Sequence, residues 1–80
     1  MKTYVITFYS HFSAIGFHKA MKKIGVNATL MPIPRHLSSS CGTCVKAYWN
    51  DSIPNDIKHY DGIEKVFQIT EQDVIMVYES

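Results

Sequence analysis

Long apolar runs and a surplus of charge of one sign are both missing from this 80-residue sequence. No stretch approaches the roughly 20 apolar residues that a membrane-spanning helix needs, and the early run Tyr4–Tyr9 is too short for the core of a signal peptide. The net charge of +1 gives no bulk attraction to nucleic acid or to a membrane surface. We therefore expect a cytoplasmic protein that binds neither of them.

Cysteine is also scarce, and the two cysteines of the chain lie together in the segment Cys41-Gly42-Thr43-Cys44. A bridge between them would close so small a loop that it would add little stability. In a reducing compartment, such a pair is more often reactive or metal-binding than structural. The pair is therefore the main candidate for chemistry in a chain whose length allows one domain, residues 1–80.

The N-terminal part of the sequence predicts a strand followed by a helix. Tyr4–Tyr9 is β-branched and aromatic on both faces, which indicates a central strand. Ser10 offers an N-cap for a helix from about His11 to Ile24, and Gly25 ends that helix. The apolar face of the helix recurs at spacings of three and four residues, at Ala14, Phe17, Met21 and Ile24.

The rest of the chain predicts further strands and a second helix. Val26–Ile33 is expected at a sheet edge because Pro32 has no N–H to donate to a ladder. Asp51 or Ser52 caps a short helix. The other strands are predicted at Cys44–Trp49, Lys65–Thr70 and Val74–Tyr78. The last of these is either a fifth strand or a segment that pairs with a second copy in a homodimer.

This order of elements, β-α-β-β-α-β, is that of an α+β ferredoxin-like sandwich with a four-stranded antiparallel sheet, and an extra C-terminal strand is the alternative to the four-stranded form. In that topology, the loops after the first strand, between the second and third strands, and before the fourth strand lie at one end of the sheet. We therefore expect residues 10–13 to lie near the loop Pro34–Cys44, with Gly62 close by. A helix N-terminus would then face the cysteine pair.

The loop before the cysteines is rich in groups that stabilise an anion. Arg35 is a permanent cation, and Gly42 allows close approach of the backbone. Positive charge, hydrogen-bond donors and a helix N-terminus all favour a thiolate over a thiol. We therefore predict a nucleophilic Cys41. The candidate anion-stabilising or adduct-stabilising residues are Arg35, Ser38, Ser39, Ser40, Gly42, His11 and His36.

The stretch Met31-Pro-Ile-Pro-Arg-His-Leu-Ser-Ser-Ser-Cys-Gly42 resembles the signature of the selenium/sulfur carrier-like family of small bacterial and archaeal proteins. Its pattern is a strand ending in Pro-x-Pro-Arg, then a hydrophobic residue, serines and Cys-Gly, and the resemblance covers about residues 4–70. The resemblance implies that Cys41 is the characteristic cysteine. It also implies that the protein passes sulfur or selenium between donor and acceptor proteins. Cys44 is not a general feature of the pattern.

Four functions stay open at this point. A carrier would hold its cargo on Cys41 without a cofactor, as a shuttle rather than a turnover enzyme, with Cys44 as a resolving thiol. A thiol–disulfide switch would use both cysteines. A metal-binding module would use Cys41 and Cys44 with His36 or His11. An interaction module would need neither cysteine. The signature favours the carrier.

Overall fold

A computed structural model describes residues 2–37, 39–49 and 60–79 of the chain. These residues form an α+β fold with one helix and a five-stranded antiparallel sheet. The elements in chain order are β1 (Lys2–Phe8), α1 (His11–Lys23), β2 (Asn27–Pro32), β3 (Thr43–Trp49), β4 (Ile63–Ile69) and β5 (Val74–Glu79). Among these residues, no helix has the length and apolar character that crossing a membrane requires.

The first strand is central, as its sequence predicts. The sheet order is β2-β3-β1-β4-β5, so that β1 lies between β3 and β4 and is antiparallel to both. Every side chain from Tyr4 to Phe8 is buried, which explains why this strand has no polar face. The prediction of an edge position for the second strand is also confirmed, since β2 is the first strand in the sheet order, its one partner among the described strands is β3, and Pro32 ends it.

Helix α1 begins and ends where the local sequence directs. The Ser10 side chain accepts a hydrogen bond from the Ser13 N–H at 3.1 Å and caps the N-terminus. At the other end, Gly25 has a φ of +82°. The N–H of Val26 donates to the Met21 carbonyl at 2.9 Å, which is the Schellman arrangement. The buried face consists of Ala14, Phe17 and Met21, three of the four residues predicted for it.

The sheet has a different apolar cluster on each face. The larger cluster lies under α1 and includes Phe8 and Phe17, whose ring centroids are 5.3 Å apart. The smaller cluster on the opposite face is built around Val5, Cys44 and Phe67. Because successive side chains of a strand point to opposite faces, Val45 belongs to the first cluster while Cys44 belongs to the second.

The expected four-stranded sheet is corrected to five strands. The C-terminal segment pairs within its own chain as β5, with Tyr78 opposite Val66 and Val74 opposite Ile69. This pairing occupies the edge of β4 that β1 leaves open, so the backbone groups on that edge gain partners. The second helix, predicted from Asp51 or Ser52 to Asp61-Gly62, lies mostly within residues 50–59, outside the described residues, and the β-α-β-β-α-β order therefore stays a prediction.

We predict that Gly62→Ala lowers the free energy of unfolding by about 2 kcal/mol, since Gly62 has a φ of +93°, a conformation that costs residues with a Cβ about this much. A Cβ there would also meet the Ser13 side chain.

The matched control is Gly16→Ala in α1. A Cβ at Gly16 makes only ordinary contact with Tyr60, and alanine should raise stability by up to about 1 kcal/mol. Urea unfolding measures both, and equal effects would contradict this account.

Candidate functional site

The thiol loop and the N-terminus of α1 meet at one end of the sheet, as the topology predicts. The imidazole Nδ1 of His11, the first residue of α1, lies 2.9 Å from the Thr43 hydroxyl oxygen at the start of β3. The Tyr9 N–H donates to the Gly62 carbonyl at 3.0 Å. Three segments distant in sequence therefore border the same small region.

Short hydrogen bonds within the loop fix its path. The Gly42 N–H donates to the Ser39 hydroxyl at 3.0 Å, and the Ile33 N–H donates to the Gly42 carbonyl at 3.1 Å. Gly42 has a φ of +73°, a conformation that glycine adopts without the steric cost other residues incur. The loop thus turns tightly around Cys41 just before β3 begins.

Sequence reasoning missed Glu64, which binds the loop from β4. The Glu64 carboxylate accepts one hydrogen bond from the Ser40 N–H at 3.0 Å and another from the Ser40 hydroxyl at 3.1 Å. Both donors of Ser40 are therefore directed at Glu64. No local signal indicates this contact, because the two residues are 24 positions apart and only the folded sheet brings them together.

Cys41 is a half-buried thiol at the margin of the helix-face cluster. Its S–H donates to the Thr43 carbonyl at 3.5 Å. An open, mainly apolar cleft of about 320 Å³ lies between the end of β2, the start of β3 and the N-terminus of α1. The residues lining this cleft are His11, Leu30, Met31, Pro32, Gly42 and Thr43. Cys41 is not one of them, but it directly precedes two of them in the chain.

Cys44 occupies a different environment from Cys41, on the other face of the sheet. Its side chain is fully buried, and its S–H donates to the Pro32 carbonyl at 3.8 Å. The pKa of Cys44 is raised from 9.0 to about 11, chiefly by burial and secondly by the neighbouring Cys41, while Lys46 acts in the opposite direction. At neutral pH, Cys44 is therefore a protonated thiol, the less nucleophilic form.

The structure gathers only some of the residues predicted for the site. His11 and Gly42 line the cleft, Ser39 accepts from the Gly42 N–H, and Ser40 directly precedes Cys41. Arg35 and His36 are both exposed, and His36 borders a separate depression on the Cys44 face, with Leu37 and Lys46. Ser38 lies outside the described residues.

The suggested metal set of Cys41, Cys44 and His36 is not brought together. Within residues 2–37, 39–49 and 60–79, no group of three or more His, Cys, Asp or Glu side chains is placed to hold a metal ion. The alternation of β3 explains this for the cysteines, because Cys44 packs on one face while Cys41 packs against the cluster on the other.

We predict that Cys44 reacts with iodoacetamide about a hundredfold more slowly in the folded protein than in urea, because a pKa higher by about two units leaves about a hundredfold less thiolate. Mass spectrometry on a Cys41→Ser variant, in which Cys44 is the only thiol, gives the two rates at one mildly alkaline pH. Equal rates in the two states would mean that Cys44 is accessible and ionised in the fold.

The same raised pKa predicts a loss of stability at high pH. A thiol whose pKa is higher in the folded state favours folding below pH 9.0 and loses this contribution as the pH rises through about 11. The difference in unfolding free energy between the wild type and Cys44→Ala should therefore shrink over that interval. Cys44→Ala removes this thiol and keeps every other ionisable side chain of the protein, so the comparison tests Cys44. A constant difference would contradict the assignment.

A family model described as "Putative Se/S carrier protein-like" matches residues 3–54. This span is well over half of the chain and includes β1, α1, β2, the thiol loop and β3. No curated protein and no solved structure matches the sequence. The match confirms the resemblance carried by the Pro-x-Pro-Arg and Ser-Cys-Gly segment. The chain belongs to the Se/S carrier protein-like family.

Proposed function

We propose that this protein is a carrier that holds one sulfur or selenium atom on Cys41 as a persulfide or perselenide. The observation that carries the proposal is the asymmetry of the two thiols. Cys41 is half-exposed in a loop held by hydrogen bonds, and the two residues after it line an open cleft, while Cys44 is buried with its pKa raised to about 11. One thiol is thus available for group transfer, and the other stays protonated.

Loading is an exchange in which the thiolate of Cys41 attacks the terminal sulfur of a donor protein's persulfide. A bond forms between Cys41 Sγ and that sulfur, the donor's S–S bond breaks, and the negative charge passes to the donor's cysteine. In unloading, an acceptor thiolate attacks the same terminal sulfur, and Cys41 leaves as a thiolate. Each step exchanges one S–S bond for another, so neither requires an external oxidant or reductant. Selenium would follow the same course as a terminal selenol.

The terminal atom of the adduct carries negative charge when ionised, and the site offers donors for it. The Ser39 hydroxyl oxygen accepts from Gly42, which leaves its proton free to donate. His11 Nδ1 is engaged with Thr43, so its Nε2 is the nitrogen available to the cleft. We assign Ser39 and His11 to adduct stabilisation ahead of Ser40, whose donors are held by Glu64.

A reversible Cys41–Cys44 disulfide has less support than the carrier. The side chains pack against apolar clusters on opposite faces of the sheet, so a bridge would require Cys44 to leave the small cluster. Its raised pKa also makes Cys44 a poor attacking thiol at neutral pH. We therefore propose that Cys44 keeps its thiol throughout the cycle and that release depends on an acceptor protein rather than on a resolving cysteine. A reducing compartment such as the cytoplasm suits this cycle, because Cys41 must stay a free thiol between loads.

We predict that Cys41→Ser abolishes loading, whereas Cys44→Ala retains it. The measurement incubates each purified variant with a protein persulfide, removes the donor, and determines by intact-mass spectrometry the fraction that has gained one sulfur atom. Treatment with a small thiol must then remove the added mass, because a sulfane sulfur is labile. Equal loading of the two variants would refute the assignment to Cys41, and no loading of the wild type would refute the carrier.

A further inference from the structure

A β-bulge at Glu64 interrupts the pairing of β1 with β4 close to the thiol loop. Thr7 of β1 lies opposite Lys65, and the next residue, Phe8, lies opposite Ile63. Glu64 is therefore the additional residue of β4, with no partner of its own across the ladder. A bulge of this kind bends its strand and redirects a side chain, and bulges occur often beside functional sites.

The redirected side chain binds the residue immediately before Cys41. The two carboxylate oxygens of Glu64 accept separately from the N–H and the hydroxyl of Ser40, at 3.0 and 3.1 Å. Hydrogen bonds to an ionised carboxylate are stronger than those between neutral groups. Two of them on one residue restrict both the backbone and the side chain of Ser40, and hence the position of the adjacent Cα of Cys41.

The segment just before β4 also binds the segment that leads into α1. Gly62 accepts from the N–H of Tyr9, two residues before His11. Glu64, two residues after Gly62, holds Ser40, one residue before Cys41. The start of β4 thus sets the position of the thiol loop relative to the N-terminus of α1, although it contributes no sulfur and no lining residue of the cleft.

We propose that Glu64 is a positioning residue for sulfur transfer at Cys41, whose backbone it holds in place through Ser40. This inference rests on the proposed carrier function. The bulge then has a role, because in a regular ladder the side chain of Glu64 would point in a different direction. Glu64 lies beyond residues 3–54, so the family match does not include it.

The experiment compares Glu64→Ala, which removes both acceptors, with Glu64→Gln, which retains one acceptor oxygen. The matched control is Glu71→Gln, which changes an exposed carboxylate in the turn before β5. Two rates are measured on folded protein: sulfur transfer from a protein persulfide, and iodoacetamide alkylation of Cys41, resolved by mass spectrometry as a function of pH. Urea unfolding of each variant gives its stability.

We expect transfer to slow about tenfold in Glu64→Ala, since a displacement of about 1 Å in a reacting group costs this much or more. Glu64→Gln should recover part of that rate, and the pH profile of Cys41 alkylation should change in both variants but not in Glu71→Gln. In a Ser40→Ala background, the further effect of Glu64→Ala should be close to absent, because the two residues act as one unit.

A folded Glu64→Ala protein with wild-type transfer rate and alkylation profile would overturn the inference, as would a loss of stability alone. If Glu64→Ala does not fold, Glu64→Gln and Ser40→Ala decide the question by the same two rates. If the wild type accepts no sulfur, the carrier function fails. The alkylation profiles then still show whether Glu64 positions Cys41.

Discussion

The antiparallel pairing of β1 with both β3 and β4 is the constraint on which the site depends. It places Thr7 opposite Cys44 on one side and opposite Lys65 on the other. The start of β3 and the start of β4 therefore both lie beside the C-terminal end of β1. The thiol loop leads into β3 at this end of the sheet, and α1 begins here at His11, shortly after β1 ends. The buried side chains of β1 make this pairing the least replaceable part of the fold.

Because of this strand pairing, two cysteines three residues apart lie in different environments. Cys44 is inside β3, and the alternation of the strand directs it into the apolar cluster with Val5 and Phe67, away from α1. Burial then raises its pKa by more than the nearby Lys46 lowers it, which keeps the thiol protonated at neutral pH. Cys41 precedes the strand, where the positive φ of Gly42 allows the loop to turn and leaves the thiol half-exposed. A single available sulfur suits a carrier better than a dithiol switch or a metal site.

Polar contacts hold the loop in addition to the packing of Leu37 and Cys41 against the two apolar clusters. Within the loop, the Ser39 hydroxyl accepts a hydrogen bond from the Gly42 N–H. Glu64 of β4 accepts two hydrogen bonds from Ser40. Hydrogen bonds of this kind specify a position without covering the thiol, so the loop can be ordered while Cys41 stays accessible. In the sequence, the serines of the loop appear only as hydrogen-bond donors to an adduct. In the structure, Ser39 and Ser40 also hold the loop in place, and both donors of Ser40 bind the Glu64 carboxylate.

The sequence alone determined the local features: the central strand without a polar face, the α1 helix with its N-cap Ser10 and the following Gly25, the edge position of the strand ending at Pro32, and Cys41 as the reactive candidate. Each follows from periodicity, capping or backbone chemistry within a few neighbouring residues. Tertiary structure alone decided the burial of Cys44, the placement of His36 apart from Cys41, and the part of Glu64. These depend on strand register and on contacts between residues far apart in the chain, which local pattern does not encode.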